Sequence, residues 1–523
     1  MRLRVPAAES LLSGGVAFVG FIGICSALTP SLANRLDLVE GVLPPGFPAA
    51  ARLLTLAFGV ALVWLSRLLA RRRRRAWQLA VALVIGIALT HLAKGLDSEE
   101  AAVSLLLLLA LVHWRGRFDV PGDRAFRPLL GLVMALVSFA GLFAALELHR
   151  LSAPEDLEDV VGVVAFLLAV QALHLWLRPF SEHVRRTVAE QARARRLVIS
   201  HGRDSLAYFA LRRDKTYFFA SSGRAFLAYR VVAGSALVSG DPVGEESEFP
   251  SLLADFRRLA QANGWRVAIL AASGELVPLY RRVGLRVIKL GDEAVIHPTG
   301  FSLEGRKIRK VRQSVHRLDK AGYRVRVLGA GALDAGLRHA ITSLAAEARG
   351  SWPERGFTMA MDDFFSEEDG IFAVAEDAEG ALGGFLYLVP APASGGYSLS
   401  AMRRRRATPN GLMEFLIAET IAWGRDAGVS ELSLNFCVFA DFLRAGPVHS
   451  RAARLVSYSL RQLDRAFQLE RLLRFSGKFL PEWRPRYLCL ERLSDLPAVG
   501  IAYLRAESLL TPPGPWVRIR RLA

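Results

Sequence analysis

Residues 171–196, QALHLWLRPFSEHVRRTVAEQARARR, mark a change of solvent along the chain. The apolar run ends at Leu177. Arg185, Arg186, Arg193, Arg195 and Arg196 follow within one short basic stretch. Upstream, hydrophobic runs alternate with short loops; downstream, the residues alternate as in a soluble α/β protein. Lys+Arg against Asp+Glu is 17 to 13 for residues 1–178 and 50 to 36 for residues 179–523. Most of the net +18 therefore sits after the switch. A large basic domain tethered to a membrane has anionic partners: lipid headgroups, nucleic acid, or both.

A helix needs about 20 mostly apolar residues to cross the hydrocarbon. Six stretches qualify: 11–29, 47–69, 76–93, 101–114, 126–148 and 159–177. The fourth is the shortest. The first reads as a span and not as a cleaved leader, because further spans follow it and no small-residue cleavage site stands out. Arg2 with Arg4, Arg71 to Arg75, Arg115 with Arg117, and Arg185 with Arg186 fall on one side of a six-span zigzag. Asp97, Glu99, Glu100, Glu155, Asp156, Glu158 and Asp159 fall on the other. Positive loops stay cytoplasmic, which puts both termini and the basic domain inside a multi-pass protein of the cell membrane.

Cys25, Cys437 and Cys489 are odd in number and lack metal-ligand spacing, so neither disulfide nor metal site is expected. There is no Walker loop and no Gly-x-Ser-x-Gly elbow. A basic juxtamembrane helix is expected over 179–196, with a linker at 181–200. Phe226–Val238 reads as a strand pair ending in the turn Ser239-Gly240-Asp241-Pro242-Val243-Gly244. Helix Pro250–Asn263, strand Trp265–Leu270, helix Leu276–Val283 and strand Leu285–Leu290 follow, with Gly264 and Gly284 closing the helices. A similar order recurs: strand Tyr323–Leu328, helix 333–349, then strands Ile371–Ala375, Leu382–Val389 and Tyr397–Met402. Helix Pro409–Ala427 and strand Glu431–Phe436 complete it.

That order resembles the Gcn5-related acetyltransferase fold, twice over. The expected architecture is an α-helical transmembrane bundle (1–180), the linker, a first lobe (201–320) and a second lobe with a C-terminal tail (321–523). In that fold a glycine-rich turn before the central helix cradles the coenzyme A pyrophosphate. Here the turn Arg403–Gly411 offers one glycine and one proline, which disfavours an acyl-CoA donor.

Several phrases in order make the resemblance specific: Ser239–Gly244, Gly291-Asp292-Glu293-Ala294, Glu354-Arg355-Gly356-Phe357, and Met402-Arg403 with Pro409-Asn410-Gly411. Met413-Glu414-Phe415-Leu416, Ser433-Leu434-Asn435-Phe436, and Lys478-Phe479 leading to Trp483-Arg484-Pro485-Arg486-Tyr487-Leu488 complete the set. Over roughly 200–491 the chain resembles the catalytic region of the aminoacyl-phosphatidylglycerol synthases, the multiple peptide resistance factor family, and is nearest its actinobacterial members. The resemblance implies transfer of lysine or alanine from aminoacyl-tRNA to a hydroxyl of phosphatidylglycerol at the bilayer, with no cofactor. In one departure, Ser400-Ala401-Met402-Arg403 stands where the family has Asp-Leu-Met-Arg. The amino acid, the oligomeric state, another acceptor (diacylglycerol or a peptide amine) and a non-catalytic lipid-binding or flippase role stay open.

Such a site must orient two substrates, move a proton and stabilise an oxyanion. Glu354 is the carboxylate expected at the ammonium or the proton, with Asp362 near it. Arg403 is expected at the cleft, and Asn435 as a donor to the carbonyl oxygen. Lys478, Arg484 and Arg486 are expected to grip lipid phosphate, Arg through its planar fork. Tyr487 and Asn410 are expected beside the substrate, whereas Asp241 reads as structural. In 304–320, Arg306, Lys307, Arg309, Lys310 and Arg312 surround a helical apolar stripe and suit tRNA backbone or the membrane surface.

Overall fold

The structure, a computed structural model, describes residues 8–29, 47–95, 97–120, 186–349, 357, 360–361, 363–365, 369–438 and 469–508. The expected spans at 126–148 and 159–177, and the candidates Glu354 and Asp362, lie outside these residues. The chain divides into two compact units, with the main break between Ser181 and Glu182.

Helices Ala8–Leu28, Phe47–Leu69, Arg74–Gly95 and Ser98–His113 fall on the first four expected spans. Among the described residues, two stretches, Glu9–Leu28 and Arg74–Leu92, are long and apolar enough to cross a membrane. The fourth helix has 16 residues. At 1.5 Å per residue it reaches about 24 Å, short of a hydrocarbon core of about 30 Å. Small residues let the helices approach: a Cβ on Gly20 would lie 2.7 Å from the Gly59 carbonyl, and one on Gly59 equally close to Gly20. Phe18, Phe21, Leu89, Leu106 and Leu109 face outward, an apolar exterior that suits lipid better than water.

The second unit begins with helix Val188–His201. Thr187 caps it: the hydroxyl accepts from the Glu190 amide at 3.1 Å, and the Glu190 carboxylate accepts from the Thr187 amide at 2.7 Å. The basic segment is helical here, as its sequence suggests, and Ala194 and Val198 bury against the sheet core.

Twelve described strands form one sheet. Strands β1 (Thr216–Phe219), β2 (Ala225–Val232), β3 (Ser235–Ser239), β4 (Val243–Gly244), β5 (Arg266–Ser273) and β6 (Arg286–Ile296) come from the first lobe. Strands β7 (Arg324–Gly329), β8 (Ile371–Glu376), β9 (Leu382–Ala391), β10 (Gly396–Arg404), β11 (Leu432–Val438) and β12 (Glu482–Leu490) follow. In each lobe antiparallel strands lead into one parallel pair flanking a helix: β3 and β5 around Phe249–Ala262, β10 and β11 around Leu412–Asp426. The order across the sheet is β1-β2-β3-β5-β12-β6-β11-β10-β9-β8-β7.

That order departs from the chain boundary near 320. Strand β12, the last in sequence, lies between β5 and β6 of the first lobe and is antiparallel to both. Strand β6 then pairs with β11 and fuses the lobes. Pro485 is tolerated in this central strand because the β5 pairing begins only at Arg486↔Ser273; at Pro485 the strand has one neighbour, Asp292 of β6.

Apolar side chains cover both sheet faces. Leu237, Leu270, Leu290, Leu488, Phe372 and Phe385 share a core that runs across both lobes. On the other face, Val311 and Leu318 pack with Leu416, Ile421 and Leu434. The turn before Leu412–Asp426 needs glycine: Gly411 has φ +96°, and a Cβ there would lie 2.6 Å from the Ser314 hydroxyl.

If β12 completes the first lobe, a chain ending at residue 480 should lose protease resistance between residues 225 and 296, upstream of the cut. Unchanged resistance of that region in limited proteolysis would contradict this topology.

Candidate functional site

A cavity of about 920 Å³ opens at the carboxyl ends of the parallel strands β3 and β5. Ligand sites favour this end of an open α/β sheet, where loops diverge and backbone groups point outward. Its wall is built from the turn Ser239–Ser247, from Ser273–Leu276, from Ser200–Ser205, and from Glu482, Arg484, Pro485 and Arg486 at the start of β12.

Arg486 is 4% exposed, and carboxylates hold its guanidinium. Nη1 and Nη2 donate to the two oxygens of Asp204 at 2.6 and 2.8 Å, Nε donates to Glu293 at 2.9 Å, and Nη2 also reaches Ser205 at 2.9 Å. The hydroxyls of Ser205 and Ser433 donate to Glu293, and Ser398 donates to the Ser205 carbonyl at 2.6 Å. Burial opposes the charge on Arg486, yet Asp204 and Glu293 outweigh it and hold the guanidinium charged far above the usual range. Burial likewise pushes Asp204 up, but the charge and hydrogen bonds of Arg486 bring it below the ordinary carboxylate value.

Arg486 is therefore not a free fork for lipid phosphate. Two carboxylates already occupy its donors in the cleft wall, so the expected grip on phosphate would require it to give up Asp204 or Glu293. Sequence reading missed Asp204 altogether and quoted Glu293 only as part of a phrase. No local signal marks Asp204, since its partner lies 282 residues away.

Beside this network, Asp241 accepts from the Tyr280 hydroxyl at 2.6 Å and from the Ser273 amide at 3.1 Å. Burial first, then the charge of Asp204, pushes Asp241 up to about 7. Burial and Asp241 together hold Tyr280 as the neutral phenol.

Of the other expected residues that are described, only Arg484 lines this cleft. Arg484 reaches it half-exposed, paired with Glu431 at 2.9 Å and Glu482 at 3.1 Å. Lys478 pairs with Glu414 at 2.7 Å and lies over the Phe475 ring. Arg403 is the penultimate residue of β10 and donates to the Met402 carbonyl at 3.0 Å. The Asn410 carbonyl accepts from Arg317 at 3.0 Å, and Tyr487 is half-buried on β12.

Asn435 stands at φ +70° in a bulge of β11. Its Nδ2 donates to the Leu399 carbonyl at 3.0 Å, and its Oδ1 accepts from the Phe436 amide at 2.9 Å. Its amide thus bridges the diverging strands β10 and β11. Ser400, at the departure from the family phrase, is buried and accepts from the Met361 amide at 2.9 Å.

The cations of the connecting helix lie as expected. Arg309, Lys310 and Arg312 are exposed on helix Arg309–Lys320, with Arg306 and Lys307 exposed just before it. Val311, Ser314 and Leu318 form its buried face.

Removing Arg486 leaves two buried carboxylates uncompensated, so Arg486→Ala should destabilise the sheet unit by about 3–5 kcal/mol. Arg484→Ala breaks a partly exposed pair and should change stability by about 0–1 kcal/mol. Denaturant unfolding of the solubilised chain compares them, and equal losses would contradict the assignment.

Residues 195–490 match the family described as phosphatidylglycerol lysyltransferase, C-terminal. The chain is 33% identical over 567 aligned positions to the lysylphosphatidylglycerol biosynthesis bifunctional protein LysX of Mycolicibacterium vanbaalenii, covering 97% of this chain and 50% of that protein. It is 38% identical to the LysX protein of Rhodococcus jostii, covering 67% of this chain and 32% of that one. The chain thus spans half or less of the length of these relatives. L-PGS from Bacillus licheniformis has the same fold, at TM-score 0.56 and 22% identity over 63% of this chain and 99% of that one. A C-terminal DUF2156 domain from Agrobacterium fabrum matches at TM-score 0.53 and 25% identity, over 60% and 96%. The chain belongs to the phosphatidylglycerol lysyltransferase C-terminal family.

Proposed function

We propose that the chain is a membrane-bound aminoacyltransferase that moves lysine from lysyl-tRNA to a hydroxyl of phosphatidylglycerol. The match across 195–490 carries this reading. Lysine is preferred to alanine because the relatives at 33% and 38% identity are named for lysylphosphatidylglycerol.

The geometry supports it in four ways. The cleft at β3 and β5 is large enough for an aminoacyl ester and a headgroup, and it carries both charge signs. Arg484 at its rim offers a guanidinium to a lipid phosphate, in exchange for its contacts with Glu431 and Glu482. The exposed cations of 306–312 offer phosphate contacts to tRNA. The apolar helices would hold the domain at the bilayer, and Arg71 to Arg75 would place their turn on the cytoplasmic side, where charged tRNA is found.

The donor is already an activated ester, so no enzyme nucleophile is needed. The lipid hydroxyl attacks the ester carbonyl and the ribose oxygen leaves. The protein's contribution is to align the two and to shield the oxyanion from bulk water. Ser400 in place of the family's aspartate is the one observation favouring a non-catalytic lipid-binding role.

Membranes containing the chain, supplied with lysyl-tRNA carrying labelled lysine, should transfer label to phosphatidylglycerol in the pellet. No labelled lipid with any charged tRNA would favour the non-catalytic role, and activity wholly in the supernatant would remove the membrane tether. Neutralising Arg309, Lys310 and Arg312 together should flatten the salt dependence of tRNA binding by about 0.7–0.9 logarithmic unit per lost phosphate contact. An unchanged slope would assign this helix to another surface.

A further inference from the structure

The first-lobe cleft holds a carboxyl group that no described cation pairs with directly. Asp241 follows β3 through Gly240, whose φ of +73° turns the chain toward the cavity. Tyr280 and the Ser273 amide fix its carboxyl, while neighbouring Asp204 is clamped on both oxygens by Arg486. The ionisable groups facing Asp241 are Asp204 from the segment before β1, Tyr280 from helix Val277–Arg282, and Arg486 and Cys489 from β12. Burial, then Asp241 itself, pushes the Cys489 thiol up to about 12, so it stays neutral beside the carboxyl.

The other carboxyls of the cleft are worse placed to move a proton. Asp204 is held low by its guanidinium, and Glu293 is buried beneath Arg486, Ser205 and Ser433. Glu482 is held at about 2 by its hydrogen bonds to Arg484 and then His297. Glu246 pairs with Arg203 at 2.8 Å on the exposed rim, Glu245 pairs with Arg224 at 3.4 Å, and Glu275 is exposed there too. Ser400, bonded to a backbone amide in the second lobe, supplies no carboxylate.

Resting on the transferase reading above, we propose that Asp241 takes the proton from the attacking lipid hydroxyl and delivers it to the departing ribose oxygen. The hydroxyl oxygen forms a bond to the ester carbonyl carbon as its proton passes to the Asp241 carboxylate. The tetrahedral intermediate then collapses, the bond from carbonyl carbon to ribose oxygen breaks, and Asp241 returns the proton to that oxygen. Lipid alcohol and aminoacyl-tRNA become aminoacyl lipid and free tRNA, with Asp241 regenerated. A carboxyl that titrates at about 7 suits both half-steps at neutral pH.

The test uses the full chain in phosphatidylglycerol-containing vesicles, with labelled lysyl-tRNA as donor. Wild-type kcat should rise with pH through about 7 as Asp241 ionises. Asp241→Asn should lower kcat by about 10²–10⁴-fold, with tRNA binding and KM little changed. Asp241→Glu should keep part of the activity and move the pH limb. Wild-type kcat in Asp241→Asn would overturn the proposal while leaving the transferase reading intact. If Asp241→Asn fails to fold, a wild-type profile flat across pH 7 would overturn it instead. A wild-type chain that labels no lipid would overturn the transferase reading and this step with it.

Discussion

One guanidinium between two carboxylates governs how this domain is put together. Arg486 on β12 meets Asp204, 282 residues earlier, and Glu293 on β6, 193 residues earlier. A buried ion network of this kind contributes less to net stability than its short distances suggest, because desolvating three charges is costly. Its larger effect is on register. A slip of β12 by one residue would turn Arg486 to the opposite face and leave both carboxylates unpaired.

The cleft depends on that register. With Arg486 fixed, Arg484 two residues earlier reaches the cleft rim, and Asp204 is held beside Asp241. The same seam places Ser433 of β11 on Glu293, so the second lobe contributes to the wall behind the first-lobe cleft. The C-terminal segment contributes differently from what its cations suggested: Lys478, Arg484 and Arg486 each meet a different carboxylate, and only the last two face the cavity.

Much of the sheet was legible because period-two and helical patterns are local. The strand pair in 226–238, the helix expected over 250–263, and the strands at 371–375 and 382–389 match observed elements to within a few residues. The basic helix was legible for the same reason. Strand β12 was not: Pro485 interrupts its strand signal, and the partners that make it a strand lie far along the chain. Nor was Asp241 recognised as more than a turn residue: Asp-Pro is a common turn signal, and only the fold brings Asp204 and Tyr280 against it. Asn435 likewise gave no sign in the sequence of its left-handed bulge position or its bridge to β10.

The claim that the Arg486 seam makes the two lobes one cooperative body is tested most directly by native-state hydrogen exchange in increasing denaturant. Amides of β2 and β3 in the first lobe and of β9 and β10 in the second should lose protection together, at one denaturant concentration. Second-lobe amides that exchange freely while β2 and β3 stay protected would contradict the shared seam and return the domain to two independent lobes.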